Sequence, residues 1–158
     1  MKLNIVSGGQ TGVDRAALDA AITAALAIGG WCAKGRRAED GVIADRYALR
    51  ETSGRNYRQR TQWNVRDSDG TLVLYWGELQ DGTLLTVKMA REQYQRPLLL
   101  VNLLAPINAQ EVVDWIVRND IKTLNVAGPR ESSRLGIYAK ARVYLEDVFR
   151  RVSRVSDG

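Results

Sequence analysis

The chain has 158 residues, of which 45% are hydrophobic, enough to form the core of one ordinary domain. It has no histidine and a single cysteine, Cys32, which excludes an internal disulfide, a Cys/His zinc cluster and any catalytic triad that needs imidazole. The 23 basic and 18 acidic residues give a net charge of +5, which favours anionic partners. No stretch approaches the roughly 20 apolar residues of a membrane span, and the N-terminus lacks a signal-peptide pattern. We therefore expect a cytoplasmic protein without a membrane partner.

Short apolar runs alternate with segments of helical period along the chain. This alternation predicts a single α/β domain over residues 1–158, with a mainly parallel sheet of about five strands and helices on both faces. We expect the strands at residues 3–7, 30–33, 71–76, 98–103 and 124–127.

Three helices have clear local signals. Apolar residues at helical spacing predict the first over residues 14–26. Another should begin after Asn108, a favourable N-cap, with Glu111 completing a capping box and Ile107 packing on Val112. The last is predicted from about residue 136 to about residue 151.

Residues 34–70 do not follow this alternation, because they are polar and rich in arginine. Loops of this length in compact domains are usually functional or disordered. The apolar residues within 43–48 predict a short helix, and Tyr57 and Trp63 argue against full disorder. We expect an ordered lid or flank, with a solvated surface segment as the alternative.

The segment SGGQTGVD, residues 7–14, follows the first strand and opens the first helix. Glycines let a backbone approach a ligand closely, and amide N–H groups at a helix start attract anions. Its spacing matches neither the dinucleotide fingerprint nor the P-loop, so neither NAD nor P-loop chemistry is indicated. The alternative is a plain helix entry in which Thr11 is the cap and Asp14 the capping-box acid.

Two further turns have the same character. DGT, residues 81–83, opens a helix after the third strand, and GPRESS, residues 128–133, follows the fifth. The carboxyl ends of parallel strands share one edge, where open α/β sheets bind ligands. Plain N-caps are the alternative for both turns. The turn at residues 67–71 precedes its strand, so we expect it at the opposite edge.

The segments SGGQTGVDRAALDAA, WCAKGRRAEDG, NVRDSDGTLVL, DGTLLT and LNVAGPRESSRLGIY together resemble the putative molybdenum carrier family. This is the circularly permuted YpsA branch of the SLOG superfamily. The resemblance implies a Rossmann-like three-layer sandwich, related to LOG proteins and molybdenum cofactor carriers and often assembled as homo-oligomers. One departure is Leu135, where the family pattern has proline. The resemblance implies ligand or phosphate binding by Gly8, Gly9, Gln10, Thr11, Gly12, Asp14, Gly82, Thr83, Gly128, Pro129, Arg130, Glu131 and Ser132.

The leading hypothesis is a binding protein for a phosphorylated nucleotide-like or pterin-like ligand, such as a nucleotide or the molybdenum cofactor. The phosphate would lie on the first and last turns, with Arg130 pairing the anion. An aromatic ring would stack on the ligand, and the candidates are Trp31, Trp76 and Tyr57.

Two other functions are open. A LOG-like hydrolase would cleave an N-glycosidic or phosphoester bond with Glu131 or Asp14 as acid/base, although no spacing specifies a metal site. A single-stranded nucleic-acid-binding protein would use the arginines of residues 34–70, which acidic residues interrupt. We expect Cys32 to be a buried free thiol, and a thiolate for molybdenum is the alternative.

Overall fold

The computed structural model describes residues 2–157, without the side chains of residues 81, 156 and 157. The strands in chain order are β1 (Asn4–Val6), β2 (Ala27–Gly29), β3 (Trp31–Cys32), β4 (Arg37–Ala38), β5 (Gly41–Val42), β6 (Arg50–Glu51), β7 (Gly70–Tyr75), β8 (Leu98–Asn102) and β9 (Thr123–Ala127). The helices are α1 (Val13–Thr23), α2 (Tyr57–Arg66), α3 (Asp81–Lys88), α4 (Ala109–Arg118) and α5 (Ile137–Asp157). A π-helical turn, Met89–Gln93, continues α3, and a 3₁₀ turn, Glu131–Ser133, precedes α5.

Five strands form one parallel sheet in the order β2-β1-β9-β7-β8. The central strand β9 pairs with β1 through Ile5 and Leu124, and with β7 through Leu72 and Val126. The carboxyl ends of β1, β9 and β7 therefore lie side by side at one edge. This sheet and its helices confirm the predicted α/β fold.

The core lies between the sheet and the helices α1, α4 and α5, which pack against one another. Leu3, Ile5, Leu72, Leu124 and Phe149 are among its fully enclosed side chains. Helix α2 packs with α3 and the π-helical turn in a second group. No helix within residues 2–157 is both long and apolar enough to cross a bilayer.

Helix α4 begins where the sequence predicts. The Asn108 side chain accepts a hydrogen bond from the Gln110 N–H at 2.8 Å, and Ile107 packs on the core. The cap bonds the second N–H of the helix and not the Glu111 N–H of a capping box, because the latter donates to the Asn108 carbonyl at 2.9 Å. Asn108 is therefore the N-cap of α4, but its side chain bonds the N–H of Gln110 and not that of Glu111.

The second strand of the sheet lies earlier than predicted. Residues 27–29 pair with β1, whereas Trp31 and Cys32 leave the sheet and pair with β6. Gly30 separates the two pieces with φ +122°, and a Cβ there would lie 2.4 Å from the Ser7 carbonyl oxygen. The strand predicted at residues 30–33 was therefore misplaced along the chain, because the backbone turns at Gly30, where only glycine fits.

Two helix ends also differ from the prediction. Helix α1 ends at Thr23, because Ala25 has φ +58° and Leu26 donates back to the Ala21 carbonyl. Helix α5 runs six residues beyond the predicted end at Arg151 and finishes at residue 157.

The short helix predicted within residues 43–48 is absent. The Arg36 guanidinium instead binds the carbonyl oxygens of Ile43, Ala44, Tyr47 and Leu49, at 2.8 to 3.3 Å. The Ala44 carbonyl also accepts the Tyr47 N–H and the Tyr47 carbonyl the Leu49 N–H, so the backbone bonds span three and two residues and not the four of an α-helix. Residues 34–70 contain β4, β5, β6 and helix α2.

Replacing Asn108 with alanine should lower the free energy of unfolding by about 1 kcal/mol, because the start of α4 loses its cap. Urea denaturation followed by circular dichroism measures the change. The control is Lys88→Ala at an exposed helical position, which should stay within about 0.5 kcal/mol of wild type. An equal loss in both variants would contradict the role of the cap.

Candidate functional site

A cavity of about 460 Å³ opens at the carboxyl edge of the sheet, over the ends of β1 and β9. Its size lies within the usual range of small-molecule sites. The turn after β1, helix α2, the start of α3 and the turn after β9 form its walls. The parallel sheet thus brings together three turns that are far apart in sequence.

The structure divides the sequence-predicted residues into two groups. The first group lines the cavity and consists of Gly8, Gln10, Asp14, Gly82, Thr83, Gly128, Pro129 and Arg130. The second group lies outside the lining and consists of Gly9, Thr11, Gly12, Glu131 and Ser132.

Four backbone N–H groups of the glycine-rich turn after β1 already have acceptors within the protein. The N–H groups of Gly9, Gln10, Thr11 and Val13 donate to acceptors within the protein. These acceptors are Ser7 Oγ, the Asp14 carboxylate, the Gln10 side-chain oxygen and the Pro129 carbonyl, respectively. The expectation that the N–H groups of this turn are available to an anion therefore fails at these four positions.

Asp14 and Arg60 form an ion pair beside this turn. Arg60 Nη1 lies 2.9 Å from Asp14 Oδ2, and both side chains are largely buried. A Cβ on Gly8 would lie 1.7 Å from Arg60 Nη1, so the missing side chain leaves the room that the guanidinium occupies. Burial raises the pKa of Asp14 above its ordinary value, and the Arg60 charge offsets this only in part.

Gln10 carries a buried donor that the protein leaves unused. Its Oε1 accepts the N–H groups of Thr11 at 3.1 Å and Glu39 at 2.8 Å, which fixes the orientation of the amide. Flipping the amide would point its NH₂ group at two other donors. Its Nε2 has no partner within the part of the chain that the structure describes, although the residue is only 5% exposed. Buried polar groups normally have partners, so this donor is a candidate ligand contact.

The start of α3 supplies further donors. The first hydrogen bond of the helix runs from the Leu84 N–H to the Gln80 carbonyl, and no side chain caps this end. The amides of Gly82 and Thr83 thus precede the hydrogen-bonded part of the helix. Thr83 is 5% exposed, and its hydroxyl makes no hydrogen bond to any described residue. Arg58 lines the same cavity, and none of the carboxylate side chains that the structure describes forms an ion pair with it.

Glu39 holds the turn after β9 in place. Its carboxylate accepts the Ser132 N–H at 3.1 Å and the hydroxyls of Ser132 and Thr11, and it lies 3.7 Å from Arg130 Nε. Burial disfavours the ionised form, but the hydrogen bonds from Ser132 and Thr11 outweigh it and hold the pKa of Glu39 below its ordinary value. Arg130 is therefore partly neutralised by an internal carboxylate.

Glu131 has a structural position. Its carboxylate accepts the N–H groups of Gly136 at 2.7 Å and Tyr138 at 3.0 Å, at the start of α5. Of the two acid/base candidates, Asp14 lines the cavity and Glu131 does not. Leu135, the departure from the family pattern, lies beside this helix start with 79% of its surface exposed.

Helix α2 provides four lining residues that were not predicted from the sequence, Arg58, Arg60, Thr61 and Asn64. Their signal was the arginine content of residues 34–70, but sequence alone did not show which arginines turn inward. Gln80, Thr86 and Asn125 also line the cavity and were not predicted. Of the three stacking candidates, Tyr57 alone lines the cavity.

The other two stacking candidates are engaged elsewhere. Trp31 donates to Asp67 and lies under Arg50, whose guanidinium carbon is 4.1 Å from the ring centre. The Trp76 ring likewise lies 4.1 Å from the Arg134 guanidinium. The rings of Trp31 and Trp76 are thus each covered by an arginine. These arginines occupy ring faces on which a nucleic-acid base would have to stack.

Cys32 is buried against Leu18 and Tyr47, away from the cavity. Burial raises the pKa of its thiol, so the thiolate is disfavoured. Within the described residues, no group of three His, Cys, Asp or Glu side chains is arranged to hold a metal ion.

Replacing Glu39 with glutamine should lower the free energy of unfolding at pH 7 by about 1 kcal/mol, through weaker hydrogen bonds to Thr11 and Ser132. Because the folded-state pKa is lowered, this stabilisation exists above the ordinary pKa of glutamate and is lost as pH falls through the folded value. Urea unfolding at pH 7 and pH 3 should show the difference between variant and wild type shrinking. The control is Glu92→Gln at an exposed position, and a difference for Glu39→Gln that is unchanged at pH 3 would contradict the assignment.

Comparison with known proteins gives one family and one solved structure. The circularly permutated YpsA SLOG family model matches residues 5–149. A crystal structure of a protein from Syntrophus aciditrophicus SB, named "Putative molybdenum carrier protein", shares 42% sequence identity over 94% of each chain, with a TM-score of 0.85. No curated protein matches the chain.

Proposed function

The chain belongs to the circularly permutated YpsA SLOG family, and we propose that it binds a phosphorylated nucleotide-like or pterin-like ligand in the cavity at the carboxyl edge of its sheet. The observation that carries the proposal is a buried donor without a partner among the described residues, Gln10 Nε2, in one cavity with the Thr83 hydroxyl, to which no described residue is hydrogen-bonded. Buried donors of this kind cost stability unless a ligand or water accepts their hydrogen bonds.

We place the phosphate at the start of α3. Gly82, Thr83 and Arg58 all line the cavity, and none of the described carboxylates pairs with Arg58. Amides at a helix start and a guanidinium are the usual phosphate-binding groups in proteins. The first turn and Arg130 are less suited to this role, because internal acceptors already engage them.

The molybdenum cofactor is a member of the proposed ligand class, since it is a pterin with a phosphate. Arg58 and Thr83 would hold its phosphate, and Gln10 would meet the pterin. The cavity lining contains no cysteine among the described residues, so these side chains fit the organic part of the cofactor and offer the metal no sulfur ligand.

Nucleotide hydrolysis is a second candidate function, because a carboxyl group with a raised pKa lines the cavity. Asp14 would act as general acid on the leaving group, next to the Arg60 charge. This function is tested by incubating the protein with GMP or AMP and measuring released free base or inorganic phosphate by chromatography. Turnover that Asp14→Asn abolishes would support it, and no turnover would leave binding as the function.

Thermal denaturation with paired compounds tests the binding proposal, because a ligand of the native state must raise the melting temperature. The probes are GMP, AMP and 6-hydroxymethylpterin phosphate, each beside its unphosphorylated parent. We expect at least one phosphorylated compound to raise the melting temperature and its parent to do so much less. No shift with any phosphorylated compound would overturn the proposal.

Replacing Arg58 with alanine should weaken binding of the phosphorylated compound about tenfold or more, measured by calorimetry, through loss of a charge-assisted hydrogen bond. Arg55→Ala is the matched control, since it removes the same charge from an exposed residue outside the cavity lining. Equal losses in both variants would indicate nonspecific charge attraction and would contradict the assigned phosphate position.

A further inference from the structure

The end of the cavity beside Gly8 contains three hydrogen-bonding groups that the protein leaves unused. Gln10 supplies the donor Nε2, as described above. Asp14 supplies an acceptor, because both of its internal hydrogen bonds go to Oδ2 and none of the described residues donates to Oδ1. Arg60 supplies donors, since among the described residues only its Nη1 bonds an acceptor.

The residues that carry these groups are neighbours in the structure, through Asp14 Oδ2 and the backbone N–H of Gln10. Arg60 Nη1 is 2.9 Å from Asp14 Oδ2, and the Gln10 N–H is 3.3 Å from the same oxygen. All three residues line the cavity, and the Arg60 guanidinium occupies the space next to Gly8. A ring that reaches this end therefore meets the Asp14 carboxylate with the Arg60 guanidinium beside it, and Gln10 lines the same cavity.

We propose that this end of the cavity selects a ring whose edge carries a carbonyl next to an N–H, as guanine, hypoxanthine and pterin do, over adenine. The selection rests on the proposed function, because the phosphate at α3 holds the ring in the cavity. Gln10 Nε2 or Arg60 donates to the ring carbonyl, and Asp14 Oδ1 accepts from the ring N–H.

Adenine presents the opposite pattern at the corresponding positions. Its amino group is a donor where guanine has a carbonyl, and its N1 is an acceptor where guanine has an N–H. In the ring placement proposed for guanine, adenine would point a donor at Gln10 and Arg60 and an acceptor at the Asp14 carboxylate. Such a complex would bury donors that lack acceptors and would set two acceptors against each other. Polar binding sites reject the wrong ligand strongly through mismatches of this kind.

The orientation of the Gln10 amide makes this selection specific. Two backbone amides, those of Thr11 and Glu39, hold Oε1, so the side chain cannot rotate to present its oxygen to adenine. Glutamine in a freely rotating setting would accept either pattern.

Calorimetric titration of the full chain with GMP, IMP and AMP tests the inference, because the three share one phosphate and one ribose. We expect GMP and IMP to bind at least tenfold more tightly than AMP. Equal or tighter binding of AMP would overturn the ring selection while leaving phosphate binding, and hence the proposed function, intact. No binding of any of the three or of 6-hydroxymethylpterin phosphate would overturn both.

A conservative substitution separates recognition from folding. Gln10→Glu keeps an oxygen for the Thr11 and Glu39 amides but replaces the Nε2 donor with an acceptor. We expect the ratio of GMP to AMP affinity to fall at least fivefold, with an unchanged circular dichroism spectrum. Gln93→Glu adds the same charge at an exposed position outside the cavity and should leave the ratio unchanged. An unchanged ratio in Gln10→Glu would contradict the role of the Nε2 donor.

Discussion

The location of the cavity depends on the parallel pairing of β9 with β1 on one side and β7 on the other. This pairing sets three strand ends side by side, and each is followed by a turn that leads into a helical segment. Residues 7–14 and 128–133 are separated by more than a hundred positions, yet Val13 donates directly to the Pro129 carbonyl. Glu39 then adds a bridge from outside the sheet, through Thr11 and Ser132.

The glycine-rich turn acts mainly as a scaffold. Most of its amides hold its own shape, and the groups proposed for a ligand are side chains of this turn and of α2, together with the amides and hydroxyl at the start of α3. Preorganisation of this kind lowers the entropy cost of binding, because the contacts of Gln10 are already oriented. It also explains why the site includes polar residues that are buried before any ligand arrives.

Sequence analysis predicted the sheet, the start of α4 and the convergence of three turns, because these depend on local periodicity and on the rule that parallel strands end at one edge. It misplaced the second strand, because the turn at Gly30 depends on the Ser7 backbone of a neighbouring strand. It also could not identify Arg60 as a cavity residue, since that position depends on the space above Gly8. Glu131 is of a residue type that can act as a catalytic acid. Its hydrogen bonds from the Gly136 and Tyr138 N–H groups, which only the structure shows, place its carboxylate at the start of α5.

Arg36 has a consequence for the mobility of the site. The segment it organises, residues 43–49, has no helix or long strand of its own, and it is held by this guanidinium on four carbonyls and by the buried side chains of Ile43, Tyr47 and Leu49. Two residues of that segment, Ile43 and Leu49, lie directly against Gly9, where a Cβ would come within 2.9 Å of either side chain. Loss of the Arg36 contacts would therefore release the whole segment cooperatively as one local unfolding unit. Such an opening would uncover the back of the glycine-rich turn while the sheet stayed folded, so hydrogen exchange at Gly9 would follow this segment and not the core.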